Sequence, residues 1–351
     1  MNLKSKNDSI ILALETSCDE TSAAVILAGG DKIKILSNVI ASQINIHRQY
    51  GGVVPEIAAR EHLKNILPVV DESLAAAKIK PAELDLLAVV AGPGLITSLL
   101  VGVEAAKALS WAWQKPLIGI NHLSAHIAAN FYQNQVEFPT ICLVVSGGHT
   151  ELIYLKDYWQ YQKIGQTVDD AAGEAFDKVA KLLGLGYPGG PAISACAEEL
   201  RIKNYELRIK LPRPMIKSND FNFSFSGLKT AVLYATKKMT AAEVKKRTPE
   251  ICYEFQEAVV EVLTAKTIKA GKKFGVRTVM LAGGVAANKR LRGSLEAAAK
   301  KSGFKFLVPE FKLCTDNAAM AGVAAYYLSL KSKPRLDGWK KIKADPNWEL
   351  K

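Results

Sequence analysis

Ile10-Ile-Leu-Ala-Leu14, then Glu15-Thr-Ser-Cys-Asp-Glu-Thr21, then Ser22-Ala-Ala-Val-Ile-Leu27: an apolar run, a polar turn and a second apolar run. Two short runs rich in β-branched and aliphatic residues about a polar turn predict a β-hairpin. The plan recurs at Ile141-Cys-Leu-Val-Val145, Ser146-Gly-Gly-His-Thr150 and Glu151-Leu-Ile-Tyr-Leu155. Each hairpin opens roughly half of the 351-residue chain, so the expected fold is a duplicated α/β domain with a cleft between the copies. Hairpin turns of this kind offer hydroxyls and backbone amides to an anion. In the second copy Gly147 and Gly148 let the main chain approach a phosphate, with hydroxyls of Ser146 and Thr150 beside them.

The segments between the hairpins alternate strand and helix. Gly51-Gly-Val-Val-Pro-Glu56 is a turn into a helix running to Ala76, and Leu84 to Ala91 is a buried strand. Leu86 to Val103 carries no charge, but Gly92-Pro-Gly94 interrupts it, which predicts strand, tight loop and the helix Ile96 to Trp113 rather than a membrane span. In the second half a helix starts at Ala171 and ends near Leu183. The run Gly184, Gly186, Pro188, Gly189, Gly190, Pro191 then predicts a loop shaped for close contact with a ligand. Further helices are expected from Ser226 and over Pro249 to Phe274. The strand Thr278 to Ala282 feeds Gly283-Gly-Val-Ala-Ala-Asn288 and a helix, a nucleoside-binding arrangement in doubly wound folds.

Asn121-His-Leu-Ser-Ala-His126 follows a short apolar strand, with Asn121 placed to cap a helix. Residues four apart share a helix face, about 6 Å apart along the axis, so His122 and His126 can grip one divalent cation. The helix N-terminus disfavours imidazolium and keeps such rings neutral. The plainer reading is two partly exposed histidines on an amphipathic helix. A zincin is excluded, because Leu123 stands where those proteases place their glutamate base. Asp316, in Cys314-Thr-Asp-Asn317 before the helix Ala318 to Leu330, is either an ordinary N-cap or the third ligand.

Composition limits the classes. With 49% hydrophobic residues the chain builds a large core or two lobes. Cys18, Cys142, Cys196, Cys252 and Cys314 are scattered and never in a C-x-x-C pair, which argues against a disulfide framework or thiolate zinc site and for a reducing cytoplasm. Residues 1–10 are too short an apolar run for a signal peptide, and no membrane partner is expected. The net charge of +12 gathers late: Lys237, Lys238, Lys245, Lys246, Arg247; Lys266, Lys269, Lys272, Lys273, Arg277; Lys289, Arg290, Arg292. Such clusters are either solvated helix faces or the footprint of a nucleic acid.

These stretches, with Ala172-Gly-Glu-Ala-Phe-Asp-Lys178, Tyr187-Pro-Gly-Gly-Pro191 and Phe223-Ser-Phe-Ser-Gly-Leu-Lys-Thr-Ala231, together resemble the bacterial tRNA threonylcarbamoyladenosine transferases, a family formerly labelled O-sialoglycoprotein endopeptidases. They stand in family order from about residue 10 to 330, with no departure at a site position. The resemblance implies the actin, sugar-kinase and Hsp70-like (ASKHA) fold in two lobes. It also implies an enzyme that transfers threonylcarbamoyl from threonylcarbamoyl-AMP to adenosine 37 of tRNAs reading codons that begin with A. It implies His122, His126 and Asp316 as ligands of one divalent metal, iron(II) or zinc, and Val144, Val145, Ser146, Gly147, Gly148, Asp177, Gly190 and Asn288 as substrate-binding positions. It implies a tRNA partner, a paralogous same-fold partner of the TsaB type and a small ATPase of the TsaE type. No covalent nucleophile is expected, and Glu15, Asp19 and His149 are the candidates for proton handling. The expected divisions are a first lobe 1–136, a second lobe 137–314, a returning helix 315–330 and a basic tail 331–351. The rivals are an ATPase or kinase of the same fold, which needs no histidine pair, and a non-catalytic scaffold.

Overall fold

The computed structural model of the chain describes residues 8–30, 32–203 and 208–350; most of the amino-terminal stretch read as too short for a signal peptide lies outside them. Two compact units divide the chain, residues 1–135 with 309–351 and residues 136–308.

The first unit is built on β1 (Ser9–Glu15), whose neighbours on both sides leave it no wet face. Ile11, Leu12, Ala13 and Leu14 are all buried. It pairs antiparallel with β2 (Glu20–Gly29), Leu12 opposite Val25, and parallel with β4 (Leu86–Gly92), Leu12 opposite Leu87. With β3 (Lys32–Ser42) and β5 (Leu117–Asn121) the sheet order is β3-β2-β1-β4-β5. The second unit repeats it. β6 (Thr140–Val145) pairs antiparallel with β7 (Thr150–Leu155) and parallel with β9 (Thr278–Ala282), and β8 (Tyr161–Gln166) and β10 (Lys305–Leu307) take the two edges. Read from the antiparallel edge, both sheets run third, second, first, fourth, fifth strand. That shared order establishes the duplication which the paired hairpins predict.

The helices are α1 (Ile44–His47), α2 (Pro55–Ala77), α3 (Ile96–Trp113), α4 (His122–Ala128), α5 (Ala172–Leu182), α6 (Gly189–Lys203), α7 (Ser226–Lys237), α8 (Ala241–Phe274), α9 (Lys289–Lys301) and α10 (Ala318–Lys331). Four details depart from expectation. β3 and β8 lie at sheet edges, where half-exposed, lysine- and glutamine-bearing sequence hides the strand signal. α8 begins eight residues before Pro249, because Thr240 and Glu243 form a reciprocal capping box ahead of it, Thr240 N–H donating to Glu243 Oε2 at 2.7 Å. The glycine loop stops at Pro188, and Gly189, Gly190 and Pro191 are the first turn of α6. Finally, part of the basic tail is packed. Trp339, Ile342, Ala344 and Trp348 pack on the apolar core of the first unit.

Candidate functional site

α4 starts where the sequence places it. Asn121 Oδ1 accepts the N–H groups of Leu123 at 2.9 Å and Ser124 at 3.1 Å, which satisfies two of the donors every helix N-terminus leaves over. One turn apart, the His122 and His126 rings stand edge to face with centroids 4.6 Å apart, both buried. Of the two readings of Asp316, the N-cap is taken by its neighbour. Asn317 caps α10, its Oδ1 accepting Met320 N–H at 3.1 Å, while Asp316 Oδ1 lies 3.1 Å from His126 Nε2 and 3.6 Å from His122 Nε2.

Donors bonded to one zinc or iron ion at about 2.1 Å stand roughly 3–3.5 Å apart; the two Asp316 distances are close to that, and all three donor atoms lie within 4.8 Å of one another, a group of the right kind to hold one ion. The fit has a second support. Apart from the Asp316 carboxylate that faces Nε2, neither ring nitrogen of buried His126 makes a hydrogen bond among the described residues, a costly arrangement for a group that has no ligand to bind. His122 is held from behind. Its Nδ1 lies 3.0 Å from Glu15 Oε2 and 3.1 Å from Ser17 Oγ, and the other Glu15 oxygen takes Ser17 N–H at 2.6 Å. A carboxylate on the far nitrogen fixes the ring and leaves Nε2 to coordinate. Burial opposes charge on His122, yet Asp316 and Glu15 outweigh it and push the imidazole up to about 9. Next to the centre, burial, then Asp19 and Asp316, drive the Glu20 carboxyl up to about 10. Both shifts, the raised Glu20 carboxyl and the raised His122 imidazole, record the acidic groups crowded here, and a cation relieves that crowding. All of these residues belong to the first unit.

The second unit holds the glycine loops. The β6–β7 turn closes with Ser146 N–H donating to His149 O at 2.8 Å and Ser146 Oγ accepting His149 N–H at 3.1 Å. Gly147 and Gly148 are exposed, and a Cβ on either would meet nothing within 4 Å. Val144 and Val145 before them are fully buried in β6 and paired into the sheet, so they expose nothing to a ligand and support the turn from below. Thr150 is not available either: its buried Oγ1 accepts Ala172 N–H at 2.9 Å and so anchors the start of α5. Asp177 Oδ1 accepts Gly189 N–H at 2.7 Å and holds the loop that leads into Gly190. Asn288 caps α9 through Leu291 N–H at 2.9 Å and donates at 3.0 Å to both Ser194 Oγ and Gln256 Oε1, tying α9 to α6 and α8.

The profile of the family described as TsaD, tRNA N6-adenosine threonylcarbamoyltransferase, matches residues 34–323. The chain belongs to this family. A curated tRNA N6-adenosine threonylcarbamoyltransferase of Syntrophomonas wolfei is 49% identical over 339 residues, covering 94% of this chain and 98% of that one. Another, of Thermosipho africanus, is 51% identical over 323 residues, covering 92% and 95%. Among solved structures, full-length HypF in its phosphate- and nucleotide-bound form superposes with a TM-score of 0.62 at 14% identity over 94% of this chain, which spans about half of HypF (48%). At that identity the likeness concerns the fold alone, the two-lobe ASKHA type.

Glu15, one of the candidates for proton handling, is engaged on both oxygens, with His122 Nδ1 and with the turn beneath it. Ser17 was not singled out by the sequence. Its signal is its place one residue into the polar turn of the first hairpin. Several of the basic residues expected at a nucleic-acid surface are committed internally. Lys266 is buried and donates to Ser218 Oγ at 2.7 Å, Arg290 makes a two-pronged contact of 2.6 Å with Glu257, and Arg247 pairs with Glu250 at 2.9 Å. Lys237, Lys238, Lys245 and Lys246 are exposed around the α7–α8 junction. Among the described residues no helix is long and apolar enough to cross a membrane.

Proposed function

We propose that this chain transfers the threonylcarbamoyl group of threonylcarbamoyl-AMP to the exocyclic amine of adenosine 37 in tRNAs reading codons that begin with A. In this reaction the new bond joins the amine nitrogen to the carbamoyl carbon, the bond from that carbon to the phosphate oxygen breaks, the amine loses a proton and AMP leaves. The observation that carries the reading is the convergence of His122, His126 and Asp316, with buried His126 facing Asp316 and making no hydrogen bond among the described residues, in a member of this family.

Iron(II) or zinc held by His122, His126 and Asp316 would supply Lewis-acid stabilisation of charge developing on the donor's oxygens. The chain's own residues do the rest. Glu15 and Ser17 fix the His122 ring, and Asn121 fixes the start of its helix. The amides of Gly147, Gly148 and Gly190 hold the phosphate, where a side chain would stand in the way. Asp177 and Asn288 order the loops that receive the ribose and base, by the bonds to Gly189 and to Ser194 and Gln256. AMP is a good leaving group, so a protein nucleophile is unnecessary. The exposed lysines at 237, 238, 245 and 246 give the phosphates of tRNA a place to bind, and the reading puts the chain in the cytoplasm, working with a TsaB-type same-fold partner and a TsaE-type ATPase.

The test is reconstitution with both partner proteins, tRNA and threonylcarbamoyl-AMP, with the nucleosides read by mass spectrometry. Threonylcarbamoyladenosine from the wild type and none from His126→Ala supports the reading. No product from either, with controls working, overturns it in favour of an ATPase of the same fold.

A further inference from the structure

We propose that the carboxy-terminal segment 338–350 is a strap that positions the histidine helix and thereby sets how tightly the His122–His126–Asp316 centre holds a divalent ion; this rests on the metal reading above. The strap follows β5, the edge strand that ends in Asn121. A Cβ on Gly338 would lie 3.0 Å from Leu117 O, and a Cβ on Gly119 would touch the Ile342 side chain at 3.5 Å, so the segment runs along β5 towards α4. Trp339, Ile342, Ala344 and Trp348 anchor it to the core.

Its last turn then closes on the ends of β4 and β5. Asp345 N–H donates to Ala91 O at 2.8 Å, Asn347 N–H to Asp345 Oδ1 at 3.0 Å, and Trp348 N–H to Asp345 O at 3.2 Å. Gly92 has φ +149°, and a Cβ there would lie 1.8 Å from Asp345 O, so the strap can seat only because this residue is glycine.

Two chains of contacts run from the strap to His122. On one, Trp348 O accepts the Asn121 Nδ2–H group at 2.8 Å. The same amide uses its oxygen to cap α4, so the strap fixes which way the cap faces. On the other, Pro346 O accepts Gly94 N–H at 3.4 Å, and the turn that follows sends Leu95 N–H to Ser17 O at 2.8 Å; Ser17 Oγ is the group beside His122 Nδ1. Asn121 and Trp348 are therefore positioning residues: they touch neither ion nor substrate, but support the groups that do.

The test uses full-length apo-protein and zinc alone, with affinity measured by competition against a chromogenic chelator. Asn121→Ser keeps an oxygen for the helix cap and deletes the amide that the strap receives. Zinc affinity is expected to fall about tenfold or more, the scale typical of lost outer-sphere support. A chain ending at Lys343 should show the same loss. Tyr326→Phe, which removes a 2.8 Å bond to Gly30 O at the other end of α10, lowers stability and should leave zinc affinity unchanged, separating positioning from general destabilisation. Wild-type affinity in Asn121→Ser overturns the strap, and that variant decides alone if the shortened chain does not fold. A wild type that binds no zinc brings down the metal reading and the strap with it, whereas wild-type binding with an unaffected variant brings down the strap only.

Discussion

The first turn of each sheet joins the same two strands in the same topology, yet the two are built from opposite materials. Between β1 and β2 the turn is all side chain: Glu15, Thr16, Ser17 and Asp19 are buried, and Glu15 and Ser17 reach His122. Between β6 and β7 it is bare main chain, with Gly147 and Gly148 exposed and open space where side chains would stand. On the proposed function, one copy of the scaffold has its turn spent on orienting a metal ligand and the other keeps its amides for an anion. A duplicated fold would then separate two tasks of one reaction by changing the turn and leaving the sheet alone.

Substitutions can break that contrast. Glu15→Ala strips the support from His122 Nδ1, and metal affinity should fall about 10- to 100-fold, read by chelator competition; an unchanged affinity would remove the first turn from the metal's support. Gly173→Val acts on the second turn from below. A Cβ there would lie 2.5 Å from Ser146 O and 2.8 Å from Gly147 Cα, both main chain, so the turn must shift at a cost of about 1–3 kcal/mol, seen as a lower urea midpoint. Gly147→Ala meets nothing and should leave stability within about 0.5 kcal/mol. The added methyl should instead stand in the way of the phosphate and weaken its contact with the retained amide, raising KM for the donor roughly fivefold, about 1 kcal/mol. An unchanged KM would deny the second turn its anion.

The smallest effect concerns the support of the first turn. His62 Nε2 lies 3.0 Å from Cys18 O, and burial holds this histidine below its ordinary value of 6.5. The unfolded chain therefore binds the proton more readily. The stability contributed is complete above pH 6.5 and is lost as pH falls from there through the folded value. Urea unfolding at about pH 7.5 and about pH 5.5 should show a smaller drop for His62→Gln than for the wild type.

Much of this was legible beforehand, for identifiable reasons. The buried strands β1 and β6 read clearly because both faces of each are covered and their sequences are continuously apolar. The histidine pair and its Asn121 cap read clearly because helix spacing and capping are local. What stayed hidden depends on contacts distant in sequence. Glu15 beside His122 and Trp348 beside Asn121 join residues with no pattern between them. Nor does the sequence say which of Asp316 and Asn317 caps α10, a task that falls to Asn317. Charge misled in part, since Lys266, Arg247 and Arg290 look like surface cations but complete buried or half-buried pairs.

The most direct measurement is the metal content, by mass spectrometry of the element, of protein purified without chelator, wild type beside His126→Ala. The account predicts one iron or zinc per wild-type chain and none in the variant, with both folded by circular dichroism. A wild type free of transition metal, or a variant that retains it, would contradict the claim that His122, His126 and Asp316 form the centre on which the chemistry turns.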